Sequence, residues 1–229
     1  MPLDQSKPPR ADKARLFAFL LFLGLIMSVV VMLLMAKVHE EIAQPFLEHV
    51  DQHLMQVIHA HETPTLTRLA LTLSFIGSPL ALGPGIALAA LVLWARKLRR
   101  DAILLILAIG GAALLDTILK LHFRRIRPTV SWALVTEHSF SFPSGHSVGA
   151  VVLYGTITYL IWSHLHDITQ RVAVIASALL LIASIGASRV YIGVHYPTDV
   201  AAGYAVGLIW LLTLIGANEY LVREGHPKS

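Results

Sequence analysis

Long apolar stretches alternate along this chain with short clusters of charge. Leu16–Ala36 has no charged side chain and is long enough to cross a hydrocarbon core of about 30 Å. Similar stretches follow at Leu69–Ala95, Ala102–Leu119, His146–Trp162, Val172–Ala187 and Val200–Asn218. The pattern predicts an all-α, polytopic membrane protein with six transmembrane helices in one bundle. Lys37–Thr63 is polar, yet Phe46, Leu47, Val50, Leu54, Val57 and Ile58 fall near a helical period. An amphipathic helix over about residues 40–62 is expected there, lying on the outer surface with its apolar side toward lipid or the bundle. Gly77-Ser78-Pro79 and Gly83-Pro84-Gly85 interrupt the second stretch and predict a kink or a frayed start, placed against protein or a cavity rather than lipid. Met1–Arg15 and Glu219–Ser229 read as polar tails, and Pro8-Pro9 argue against a regular helix in the first. A six-span domain over 16–218 lies between them. The first stretch is longer than the apolar region of a cleaved signal peptide, about 7–15 residues, and its end is a poor cleavage site, so it is expected to be retained.

Composition strengthens this picture. Of 229 residues, 55% are hydrophobic and 14% charged, against about 25% charged in soluble domains. With no cysteine, disulfides and thiolate metal sites are excluded. The net charge of +4 is small, and its distribution matters more. Lys7, Arg10, Lys13, Arg15, Arg96, Lys97, Arg99, Arg100, Arg171, Arg223 and Lys228 fall on one side of the bundle, which is therefore cytoplasmic. Both termini lie on that side. Lys37, Arg68, Lys120, Arg124, Arg125, Arg127 and Arg189 fall on the other side, against the usual bias. Cations kept against that bias mark a site, at helix ends facing the periplasm or exterior of a cell membrane.

Three blocks carry the chemistry. Lys120 and Arg127 bracket the end of the third span, which is expected to stop near Arg127 because Pro128 follows. An arginine can grip phosphate through two parallel hydrogen bonds, and a lysine adds a point charge. Lipid headgroup contact is the alternative for such cations, and the preferred one for Arg124 and Arg125. Pro143-Ser144-Gly145-His146 opens the fourth span, where free backbone N–H groups favour an anion, Gly145 permits close approach and Ser144 offers a hydroxyl. Arg189, His195 and Asp199 form the third block. A carboxylate beside an imidazole fixes its tautomer and supports the charge that develops on it. Taken alone, His146 reads as a helix cap and His195–Asp199 as a common pair. Asp116, one helical turn before Lys120, is expected to form an ion pair with it. His49 and His53 have metal-ligand spacing but no third ligand nearby, so a solvated face is preferred, and no metal is expected.

Together the blocks resemble, position by position, the signature of the type 2 phosphatidic acid phosphatase superfamily: Lys, six residues, Arg-Pro (120–128); Pro-Ser-Gly-His (143–146); and Ser-Arg, five residues, His, three residues, Asp (188–199). The resemblance implies a metal-independent phosphoric ester hydrolase with no cofactor. It implies that Lys120, Arg127, Arg189, Ser144 and Gly145 hold phosphate. His195 attacks phosphorus to give a phosphohistidine, Asp199 orients it, and His146 protonates the leaving group. Lipid phosphates or diphosphates are the expected substrates: phosphatidylglycerophosphate, phosphatidic acid or undecaprenyl diphosphate, the compact chain favouring the first or last. Trp132, Phe140, Tyr191 and Tyr196 are expected at an interfacial rim. Neither nucleic acid nor an obligate protein partner is expected. Soluble vanadate-dependent haloperoxidases share this pocket, but the apolar spans argue against them. An anion transporter using the same pocket is disfavoured because no series of cations crosses the bilayer. A non-lipid phosphatase or phosphotransferase remains the other alternative.

Overall fold

The computed structural model describes residues 10–38 and 44–225. The parts of the tails at 1–9 and 226–229, and the start of the expected outer helix at 39–43, lie outside the described residues. All regular structure among the described residues is helical: α1 Arg10–Val38, α2 Gln44–Ala60, α3 Pro64–Ile76, α4 Pro79–Ala95, α5 Arg99–Phe123, α6 Gly145–Trp162, α7 Ile168–Tyr191 and α8 Pro197–Gly225. By length and composition, α1, α5, α7 and α8 can each cross a membrane, and α3 with α4 adds a fifth crossing if the bent pair is one span. The remaining apolar helix, α6, is the centre of the bundle, packed on α5, α7 and α8. Most of its side chains pack on protein, with Ile157 and Trp162 left exposed. The outward faces of α1, α4 and α7 are apolar, with Phe19, Phe22, Leu91, Leu179 and Leu180 exposed.

Close approach of α6 and α8 depends on the small residues of the Gly203-x-x-x-Gly207 stripe. A Cβ on Gly203 would lie 2.7 Å from the Ser144 carbonyl, and one on Gly207 would lie 2.9 Å from Val151 Cβ. Trp210, two per cent exposed, ties α8 to α5 by donating from Nε1 to the Ala108 carbonyl at 2.9 Å. At the other end of the bundle, Arg100, Asn218, Tyr159 and Glu219 form a linear hydrogen-bonded chain across α5, α8 and α6.

Four local expectations are corrected. The helix of the first span starts at Arg10, directly after Pro9, so part of the expected tail is helical. The second span breaks only at Gly77–Ser78, where it bends by 43° and the Ser78 hydroxyl accepts from Ala81 N–H at 3.2 Å. Pro84 stays inside α4, with one backbone donor missing. The third span stops at Phe123, not near Arg127, because Arg124 turns into the left-handed region at φ 47°. Arg189, expected in a loop, belongs to the last turn of α7.

Candidate active site

α5, α6, α7 and α8 bring their ends together beneath the loop of residues 124–144 and beside the α3–α4 bend. There they enclose a cavity of about 390 Å³. Lys120, Arg127, Gly145, His146, Arg189 and His195, from all three sequence blocks, line it. Asp199 and Ser144 lie behind this lining, both fully buried. The Ser144 hydroxyl accepts from Ser147 Oγ at 3.1 Å, and its N–H donates to the Asp199 carbonyl at 3.0 Å. Ser144 thus joins the start of α6 to α8, and its hydroxyl is engaged away from the cavity.

His195 follows the tight turn at Gly193, where φ is +80° and any side chain would meet Trp132 and Val130. Its two nitrogens have different partners. Nδ1 faces Asp199 Oδ2 and Ser141 Oγ, each at 3.4 Å, while Nε2 lies 3.0 Å from Arg127 Nη1. A guanidinium can only donate, so Nε2 is the acceptor and Nδ1 carries the proton. This tautomer leaves the electron pair on Nε2, where it accepts from Arg127 at the cavity wall. Burial pushes the imidazole down to about 4, the Arg127 and Arg189 charges acting in the same direction and Asp199 against them.

The cations are paired with carboxylates in the resting pocket. Lys120 Nζ donates to Asp116 Oδ2 at 2.9 Å, the expected ion pair. Asp116 Oδ1 is buried without a partner and lies 2.9 Å from where a Gly145 Cβ would stand. Any other residue at 145 would therefore push into that carboxylate. Arg189 binds Glu137 and the Ser74 hydroxyl, and its buried Nε has no partner. Arg127 is fixed by the Ser139 carbonyl at 2.7 Å and the Val194 carbonyl at 2.8 Å, with Glu137 at 3.9 Å. Burial alone would raise the Glu137 carboxyl, but the Arg189 hydrogen bond and the charges of Arg189 and Arg127 hold it below its usual range.

Glu137 was not singled out from the sequence. The one available signal was that it is the only acid between Arg124 and Ser144. Arg125, read from the sequence as a headgroup contact, instead points inward to Asp51 and Asp199. Of the aromatic residues expected at a rim, Trp132 stacks on His59 at 4.4 Å, Tyr196 lies beneath Arg125, and Tyr191 meets Thr67 through its hydroxyl. His49 and His53 stack at 6.3 Å, and no cluster of three metal-ligating side chains occurs among the described residues.

Comparisons with known proteins show the family. The family model described as PAP2 superfamily covers residues 101–223. Phosphatidylglycerophosphatase B of Bacillus subtilis (strain 168) is 31% identical over 195 residues, spanning 84% of this chain and 93% of that protein. An undecaprenyl-diphosphatase of Sulfolobus acidocaldarius is 29% identical over 163 residues, spanning 67% of this chain and 71% of its own. A crystal structure of a transmembrane PAP2 type phosphatidylglycerolphosphate phosphatase from Bacillus subtilis superimposes with a TM-score of 0.71 at 30% identity, covering 91% of this chain and 96% of that one. With three cations and two imidazoles around one cavity of a helical membrane bundle, the chain belongs to the PAP2 superfamily and is a multi-pass membrane hydrolase of phosphoric esters.

Proposed function

We propose that the chain hydrolyses a lipid phosphate or diphosphate through a phosphohistidine on His195. One observation carries the lipid reading: the cavity is charged at one end and apolar at the other. Below Lys120, Arg127 and Arg189 it continues along Leu82, Ile86, Ile109, Ala112, Gly149 and Leu153. That shape suits an amphiphile whose phosphate meets the cations while its chain stays at membrane depth. Relatives named for phosphatidylglycerophosphate and undecaprenyl diphosphate support the same class.

In this reading Lys120, Arg127, Arg189 and the Gly145 amide hold the phosphoryl oxygens. The unpartnered Arg189 Nε is one donor ready for them. As Arg127 turns its Nη1 from His195 to a phosphoryl oxygen, the freed Nε2 electron pair attacks phosphorus, Asp199 supports the imidazolium that forms, and His146 protonates the departing oxygen. Water, activated by His146, then releases inorganic phosphate. Such transfers depend mainly on positioning and on charge stabilisation, which the cations and the start of α6 supply. We further propose one six-span domain over 16–218, cytoplasmic tails at 1–15 and 219–229, and a pocket facing outward.

A panel of purified lipid phosphates and diphosphates, with released phosphate measured for each, identifies the substrate. A Gly149→Leu variant tests the apolar groove. A Cβ at Gly149 meets nothing within 4 Å, and leucine is the better helix former, so the variant should fold. Displacing about two methylenes of a lipid chain, about 0.8 kcal/mol each, should raise KM roughly 10-fold for a long-chain substrate. A water-soluble aryl phosphate should be little affected, and equal losses on both substrates would argue against a chain in this groove. Chelator treatment should leave turnover unchanged. Activity lost to chelator and regained with added metal would overturn the metal-independent mechanism.

A further inference from the structure

A buried carboxylate and a half-buried guanidinium behind His195 have no part in the mechanism so far. Asp51, from the middle of α2, is fully buried, and Arg125 follows the left-handed turn that ends α5. Arg125 Nη1 donates to Asp199 Oδ1 at 2.6 Å and to Thr198 Oγ1 at 2.8 Å. Its Nη2 donates to Asp51 Oδ2 at 2.9 Å. Asp51 also accepts from Thr198 N–H at 2.9 Å and from the Thr198 hydroxyl at 2.6 Å, so it caps α8 from a different helix. The guanidinium lies 4.2 Å from the centre of the Tyr196 ring. Tyr196 N–H and the Ser141 hydroxyl hold the other Asp199 oxygen, the one facing His195 Nδ1. Both oxygens of Asp199 are therefore fixed, one from the loop that carries His195 and one from Arg125.

Burying these charges costs several kcal/mol per ion unless they are paired. An arginine serving only as a headgroup contact would have no need of two buried carboxylates. We propose that Arg125, held by Asp51 of α2, is a positioning residue that sets the Asp199 carboxylate against the nucleophile. The inference rests on the assignment of His195 and Asp199 given above. Geometry is one part of the effect. A small displacement of a reacting group can cost on the order of 100-fold in rate. Charge is the other part. The groups facing His195 are Asp199, Arg127, Arg189 and His146. Arg125 stands directly behind Asp199 and offsets its charge, so deleting Arg125 strengthens the pull of Asp199 on the imidazolium.

The test uses full-length protein in detergent, with short-chain phosphatidic acid and an aryl phosphate as probes. Arg125→Met should lower kcat about 10- to 100-fold, with KM changed less than about 2-fold. It should also move the acid limb of kcat/KM upward by about one pH unit. Arg125→Lys restores the charge without the fork, so the limb should return while kcat stays low. A folded Arg125→Met protein with wild-type kcat, or with lower kcat and an unmoved limb, would overturn the inference. Should Arg125→Met not extract as folded protein, wild-type kcat in both Arg125→Lys and Asp51→Asn would overturn it equally. His195→Ala is run alongside. Turnover retained there sinks the nucleophile assignment itself, whereas a dead His195→Ala with indifferent Arg125 variants sinks only the role of Arg125.

Discussion

His195→Ala should abolish phosphate release from every substrate the enzyme accepts, a loss on the order of 10⁴-fold or more. The reason is specific to the site. The neighbouring cations remain, but the other imidazole of the cavity, His146, belongs to α6 and lacks the buried Asp199 carboxylate that backs His195. Detergent-extracted variant should remain folded by size-exclusion chromatography, and rapid acid quench should no longer trap a phosphoenzyme. Substantial activity in the variant would remove the covalent route. The wild-type pH profile adds a second check. Burial lowers the His195 imidazole to about 4, from an ordinary value of 6.5. The neutral, nucleophilic form therefore persists through the range where a free histidine would protonate, and kcat/KM should not fall near pH 6.5 on its account. Stability follows the same sign. Between about 6.5 and 4 the unfolded chain binds more protons at this residue than the folded chain does. Its contribution to stability is complete above 6.5 and is lost as pH falls toward 4.

The second large effect belongs to His146. General acid help is typically worth about 10²–10⁴-fold, but only where the leaving oxygen needs a proton. His146→Ala should therefore lose about that much on an alkyl phosphate monoester. An aryl phosphate, whose leaving oxygen is stable as an anion, should lose far less. A lipid diphosphate expels a phosphate monoester and should resemble the aryl case. The ratio of these losses, measured as kcat for each substrate, reads the chemistry of the leaving group directly. Equal losses on all three would remove His146 from the role of acid.

Much of this site was legible in the sequence because its members lie at helix ends with punctuation around them. Pro143 and Gly145 announce the start of α6, and Lys120 sits in the last turn of α5. The Lys120–Asp116 pair was legible from i,i+4 spacing alone. Gly203 and Gly207, with the same spacing, make a flat helix face suited to close packing, but which helix meets it, α6, is seen only in the fold. Arg125 and Asp51 were not legible. They are 74 positions apart, and each stands among other charged residues that look equally suited to solvent. Only the left-handed turn at Arg124 aims Arg125 inward, and no proline or glycine marks that turn. Membrane crossings were legible where a helix faces lipid. The central α6 is the apolar helix that length and composition do not pass as a crossing, and it packs on α5, α7 and α8.

The carboxylate that Glu137 offers to Arg189 changes how turnover should be pictured. That guanidinium has a counter-ion belonging to the protein. With Arg189 gripping phosphate as proposed, binding would swap one anion for another and would not fill a bare positive hole. Inorganic phosphate would then be held only by the margin between its own fit and that of the Glu137 carboxylate, which would serve as its displacing group.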